Sequence, residues 1–264
     1  MAALPTQRKV PAVTFHFWAV KILSTAMGEA TSDYLVHTIN PYYAVGIGFL
    51  GFAVALGWQF LVRRYMAATY WLAVVMVAVF GTMVADAAHI ELGISYVVST
   101  ILCGTGLAVV FSAWYISERT LSIHSITSRR REVFYWAAVL ATFAMGTAAG
   151  DMSAYTMHLG WFVSGLMYTV IFAIPLVARR LFRLHEVFAF WFAYIITRPL
   201  GASWADWLGV PQALGGLNFG RGTVAIALTI VIIVWVAYLS ISKVDVEPAG
   251  EARANADLRV PISE

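Results

Sequence analysis

WAVKILSTAMGEATSD (18–33), WLAVVMVAVFGTMVAD (71–86), WAAVLATFAMGTAAGD (136–151) and WFAYIITRPLGASWAD (191–206) share one frame, W-x9-G-x4-D. An aromatic residue precedes each tryptophan: Phe17, Tyr70, Tyr135 and Phe190. Three fixed positions recurring four times without a gap mark an internal repeat, and the repeat governs how the rest of the chain is read. An apolar run follows each copy, so each unit reads as a helical hairpin and four units give eight helices.

Without the repeat, two of those helices would be lost. Stretches free of Asp, Glu, Lys and Arg cover 34–62, 65–85, 92–117, 133–150, 152–178 and 222–242, most of them at or above the roughly 20 residues that cross hydrocarbon. Segments 10–37 and 187–210 are also apolar, but the first holds Lys21, Glu29 and Asp33, and the second Arg198 and Asp206. Composition agrees with a membrane chain: 61% of 264 residues are apolar and 12% charged, about half the charge of a soluble domain. A net charge of +3 from arginines scattered between apolar runs leaves no nucleic-acid footprint. The lone cysteine, Cys103, excludes an intrachain disulfide and a thiolate metal cluster.

Fourteen of the seventeen basic residues lie before 10–37, after 222–242, or in the connections around 63, 119–131 and 179–183. Basic residues collect on the cytoplasmic side, so both termini are expected there and all four repeats run the same way. The N-terminal apolar stretch, with its internal charges, does not read as a cleavable signal peptide. The expected fold is all-α: a polytopic membrane protein with eight transmembrane helices as four parallel hairpin repeats. Those repeats cover about 10–65, 66–118, 131–183 and 186–243, forming one transmembrane domain over 1–243, with a disordered tail over 244–264.

The repeated residues carry different expectations. Each tryptophan opens its helix on the arginine side, which suits an interfacial belt. Each glycine has a small residue four positions on (Gly28/Ser32, Gly81/Ala85, Gly146/Gly150, Gly201/Ala205). That pattern lets backbones approach closely in lipid, so the first helices of the repeats are expected to share seams and form a central bundle. The aspartates Asp33, Asp86, Asp151 and Asp206 lie about 22 Å of helix rise beyond the tryptophans, at similar depth on the opposite side. Carboxylates near helix C-termini in lipid need a cation, a proton or a basic partner. Both a cation-binding ring about the pseudo-symmetry axis and a purely structural use fit that pattern.

The differences between copies are more informative. Lys21, Thr25, Glu29 and Asp33 are spaced by four; the same positions read Val74, Ala78, Thr82, Asp86, then Val139, Phe143, Thr147, Asp151, then Tyr194, Arg198, Ala202, Asp206. Lys21 and Arg198 cannot face lipid cheaply, so they are expected to face inward and find acids, with Glu29 the partner closest in depth to Arg198. His37, His89 and His158 follow three of the aspartates. Imidazole beside carboxylate suits a divalent metal or a proton relay, although the spacings differ.

With these residues in view, the chain resembles an uncharacterised family of bacterial membrane proteins built from four tandem two-helix repeats, each with a marked tryptophan. Trp18, Trp71, Trp136 and Trp191 carry the resemblance with their glycines and aspartates, together with MGEATSDYL (27–35), ISERTLSIHSI (116–126) and ITRPLGASWADWL (196–208). It covers about residues 10–243 and implies an eight-helix protein of the bacterial inner membrane. The family carries no assigned activity, so it transfers no site residue.

The functional expectation is a membrane transporter of a small cation, proton-coupled or divalent. Glu29, Asp33, Asp86, Asp151 and Asp206 would bind the ion, Lys21 and Arg198 would act as internal counter-charges, and the bilayer and the cation would be its partners. The alternative is a non-transporting sensor, assembly or partner-binding module whose polar residues only hold helices together. An enzyme is disfavoured, because no nucleophile–base constellation occurs.

Overall fold

The computed structural model describes residues 8–246, with the side chains of residues 87–92 outside that description. Eight long α-helices and no strand occur among the described residues: α1 (Phe15–Thr38), α2 (Pro41–Leu61), α3 (Ala67–Leu92), α4 (Tyr96–Glu118), α5 (Arg129–Asp151), α6 (Gly160–Phe182), α7 (Glu186–Gly209) and α8 (Arg221–Ser242). Local chemistry sets several boundaries. Asn40 accepts the Tyr42 N–H ahead of Pro41 at the start of α2, Ser95 and Ser128 cap α4 and α5, and Gly93 ends α3 in the left-handed region at φ +61°. Six helices are long and apolar enough to cross a membrane. The other two, α1 and α7, are the ones whose charges would have hidden them.

α1, α3, α5 and α7 touch in a closed cycle, α1 on α3, α3 on α5, α5 on α7 and α7 back on α1. The repeat glycines are the contact points. A Cβ on Gly28 would strike Ala78 of α3, one on Gly81 would meet Phe143 of α5 at 3.0 Å, one on Gly146 would press on Arg198 and Pro199 of α7, and one on Gly201 would strike Thr25 of α1. Each seam leads to the next inner helix and the fourth returns to the first, so close backbone approach closes the ring.

The hairpins expected from sequence do not form as packing units. α2 lies chiefly on α3, α4 on α5, α6 on α7 and α8 on α1, while helices of the same repeat touch little. The reason is in the faces. Gly48 and Gly51 of α2 leave room for Met83 and Met76 of α3, Trp114 of α4 stacks on Phe134 of α5, and Gly165 of α6 seats Trp204 of α7. Each outer helix therefore clasps the inner helix of the following repeat, and the outer faces left over are apolar and exposed.

The tryptophans also differ from expectation. Trp71, Trp136 and Trp191 are 1%, 3% and 5% exposed and so not in a belt. Trp191 lies against Phe111 and Trp114 of α4, whereas Trp18 is half-buried beside Phe172 of α6. They sit on the inner helices, where the neighbouring aromatic positions meet. Phe17 packs on Trp71 and Phe190, Tyr135 packs on Trp191, and the Tyr70 and Tyr135 hydroxyls are 2.5 Å apart. Residues 8–14, the 62–66 connection and the end of α8 gather at this end. Lys9 pairs with buried Glu132 at 2.6 Å, the Tyr65 N–H donates to the Arg8 carbonyl, and Asp245 accepts from the Tyr65 hydroxyl. Burial and that bond push the Tyr65 hydroxyl well above its ordinary range. Within the expected disordered tail, Asp245 is buried while Val244 and Val246 are exposed; residues 247–264 lie outside the described ones.

Candidate functional site

Five positions spaced by four run along the inner helices from the aromatic end. Phe17, Tyr70, Tyr135 and Phe190 make the first level, and Lys21, Val74, Val139 and Tyr194 the second. Thr25, Ala78, Phe143 and Arg198 follow, then Glu29, Thr82, Thr147 and Ala202, and last the four aspartates. The first four levels are buried throughout. At the last, Asp33, Asp86 and Asp151 are half-buried, and Asp206 alone is buried, at 4% exposed.

Arg198 ties the fourth level together. Its Nη2 donates to Glu29 of α1, to Thr82 Oγ1 of α3 at 2.5 Å and to Thr147 Oγ1 of α5 at 2.8 Å. Both threonines spend their own protons on helical carbonyls, Thr82 on Ala78 and Thr147 on Phe143, which leaves oxygen lone pairs for the guanidinium. One nitrogen thereby reaches all three other inner helices. Gly146 makes this possible, since the Arg198 stem lies where a side chain would be.

Lys21 is different. It faces inward and is 1% exposed, as its charge demands, but it meets no acid among the described residues. Its Nζ lies 4.1 Å from the Phe143 ring centroid and 4.3 Å from that of Tyr194. The expectation of an acid partner fails because Glu29, two levels on, is taken by Arg198.

Beyond Arg198 the acids converge. Carboxylate oxygens of Glu29, Asp33 and Asp206 lie within 4.8 Å of one another. Asp86 is within charge–charge range of Glu29, Asp151 and Asp33, and Asp151 within range of Glu29 and Asp33. Two arginines offset five carboxylates: Arg198 on Glu29, and Arg221 Nε at 2.9 Å from Asp33 Oδ2. Asp86, Asp151 and Asp206 have no ion-pair partner among the described residues. In a medium of low polarity that excess of negative charge calls for a proton or a cation. Oxygen donors of this kind suit hard cations.

Of the histidines, His37 lies within charge range of Asp33. His37 is exposed with Nδ1 2.7 Å from the Asp33 carbonyl, and His158 is exposed at φ +54° in the α5–α6 connection. His89 lies outside the described side chains. The sequence pattern does not point to Arg221 as a partner of Asp33. It also missed Tyr96 and Tyr155, whose rings stack at 5.5 Å within charge range of Asp151.

The chain is thus an all-α protein with six helices apolar enough to span a membrane, two polar inner helices, and a repeated carboxylate position. It belongs to the family described as Repeat of Unknown Function (DUF347), which matches residues 16–65, 69–120, 134–184 and 189–245. Each match pairs an inner helix with the outer helix that follows it, whereas the packed pairs combine an outer helix with the next inner one. No curated protein and no solved structure matches the chain.

Proposed function

We propose that the protein transports a small cation, a proton or a divalent metal ion, across the bacterial inner membrane. Both termini and the aromatic end lie in the cytoplasm, and the carboxylates open to the opposite side. The observation that carries this reading is the convergence of Glu29, Asp33 and Asp206 within 4.8 Å, with Asp86 and Asp151 in range and only two arginines beside them. The cation enters among these carboxylates, with Asp206 the buried ligand and Asp33 exchanging Arg221 for the ion. Glu29 is the innermost acid, and its release from Arg198 passes charge toward Lys21. The aromatic level below is the barrier that a full transport cycle must open.

The non-transporting alternative draws on a specific contact of its own, the reach of Arg198 Nη2 to Glu29, Thr82 and Thr147. In that reading the polar core is a clasp and the aspartates merely repeat with the fold. Ion binding separates the two. Glu29→Gln and Asp33→Asn in reconstituted protein are expected to weaken proton or Mn²⁺ binding by about tenfold or more, the scale of losing one charged ligand worth about 1.4 kcal/mol. Unchanged affinity in both variants would leave the clasp as the correct reading.

A further inference from the structure

α4 packs chiefly on α5, and α7 on α6 and α1, but α4 and α7 meet near the aromatic end. There Phe111 and Trp114 lie against Trp191 at ring-centroid distances of 4.9 and 5.8 Å, and Trp191 Nε1 donates to the Leu121 carbonyl at 2.9 Å. Beside that contact the two helices and the connection after α4 enclose a groove of about 790 Å³. Its lining changes character along its length. α4 runs toward the aromatic end and α7 away from it, so Arg119, Ser122 and His185 stand at one mouth and Phe111, Phe192 and Ile195 lie deeper. From His185 to Ile195 is about 15 Å of helix rise. Tyr115 and Phe188 on the lining are 51% and 58% exposed, so the groove is open along its side.

The polar mouth carries positive charge that nothing described offsets. Glu118 is taken by Arg130 at 3.2 Å and Arg131 at 2.7 Å. Glu186, the acid on the lining, faces His124 Nε2 at 3.5 Å and Arg179 at 3.8 Å. Arg119, which ends α4 in the left-handed region at φ +55°, has no acid partner among the described residues.

We propose that this groove binds one anionic phospholipid, with its phosphodiester at Arg119 and an acyl chain along Tyr115, Phe188, Phe192 and Ile195. The order of the lining is that of an amphiphile, polar and basic at the mouth and apolar at depth. A guanidinium pairs with phosphate oxygens through parallel N–H donors, and basic pockets between membrane helices hold lipid headgroups. The acyl chain gains by covering exposed rings. A water-soluble phosphate ester would leave the apolar stretch uncovered, and an uncharged lipid would leave Arg119 without a counter-charge. The bound lipid bridges the outer helix of the second repeat and the inner helix of the fourth.

Native mass spectrometry of the full-length protein tests this, with dioleoylphosphatidylglycerol, uncharged dioleoylglycerol and inorganic phosphate offered in separate arms. One phosphatidylglycerol is expected to stay on each protein, with the other two retained at least about tenfold less. Arg119→Gln should cut retention about tenfold, whereas Arg63→Gln, at an exposed arginine of another connection, should leave it unchanged. Ile195→Trp, which fills the apolar end, should displace the lipid. Phosphatidylglycerol held no better than dioleoylglycerol overturns the proposal, as do equal losses in the two arginine variants or a dimer that carries no lipid. If Ile195→Trp does not fold, phosphatidylglycerol with a photoreactive acyl chain decides on the wild type: adducts on Tyr115, Phe188 or Phe192 support the site, and adducts confined to other helices overturn it. No arm involves Glu29 or the aspartates, so failure here is separate from failure of the cation reading.

Discussion

At one end of the inner cycle, Phe17, Tyr70, Tyr135 and Phe190 bury almost their whole surface against one another and the neighbouring tryptophans. At the other end, sixteen residues along the same four helices, Asp33, Asp86 and Asp151 stay half-buried beside Asp206. The glycine seams between the ends are shared, so helix packing does not explain the contrast. The aromatic end is closed by apolar contact, which does not depend on occupancy or pH. The carboxylate end is held by two arginines against five acids, so its closure depends on what neutralises the rest. One end is fixed by packing, and the charge balance of the other depends on what neutralises its acids.

That contrast can be broken most forcefully at its midpoint. Arg198→Leu leaves Glu29 buried and unpaired and is expected to destabilise by about 3–5 kcal/mol, read as a loss of folded protein in denaturant titration. Adding Glu29→Gln should recover a large part of the loss, and no recovery would mean that Arg198 acts through packing alone. Next is the seam: Gly201→Val drives a side chain into Thr25 and the α1 backbone at Ala26, expected to lower stability by about 1–3 kcal/mol. At the aromatic end, Tyr70→Phe removes the bond to Tyr135 and should lower stability by about 0.5–1.5 kcal/mol. The smallest effect has the opposite sign. Asp86→Asn at the carboxylate end relieves repulsion from Glu29, Asp151 and Asp33, and metal-free protein should gain up to about 1 kcal/mol. A loss of stability in Asp86→Asn would show that both ends are held by native contacts of the same structural kind.

Much of this was readable in the sequence, because a gapless repeat reports helix number even where charge defeats hydropathy. The seams were readable too, since glycine with a small residue four positions on specifies close approach. It does not say which helix approaches, and the preference of α2 for α3 rests on where Gly48 and Gly51 meet Met83 and Met76. Trp71, Trp136 and Trp191 are buried where a belt is expected, and Trp18 is half-buried, because an indole at a helix start looks alike in a belt and in a core; only tertiary packing separates the two. Glu29 was correctly matched to Arg198 by depth. The same argument sent Lys21 to an acid, but depth cannot show that Glu29 is already engaged or that two rings stand nearer. Arg221 lay beyond a long connection, 210–220, whose backbone folds onto Trp207, Leu208 and Val210 and brings α8 to Asp33.

Flux through the carboxylate end is the most direct test of the account. Liposomes carrying a pH-sensitive dye and a Mn²⁺-quenched dye would hold either the wild type or Asp206→Asn, the variant at the one fully buried aspartate of the cluster. The account predicts protein-dependent flux of protons or Mn²⁺ that falls at least about tenfold in Asp206→Asn. Absence of both fluxes in the folded wild type, or equal flux in the variant, would contradict it.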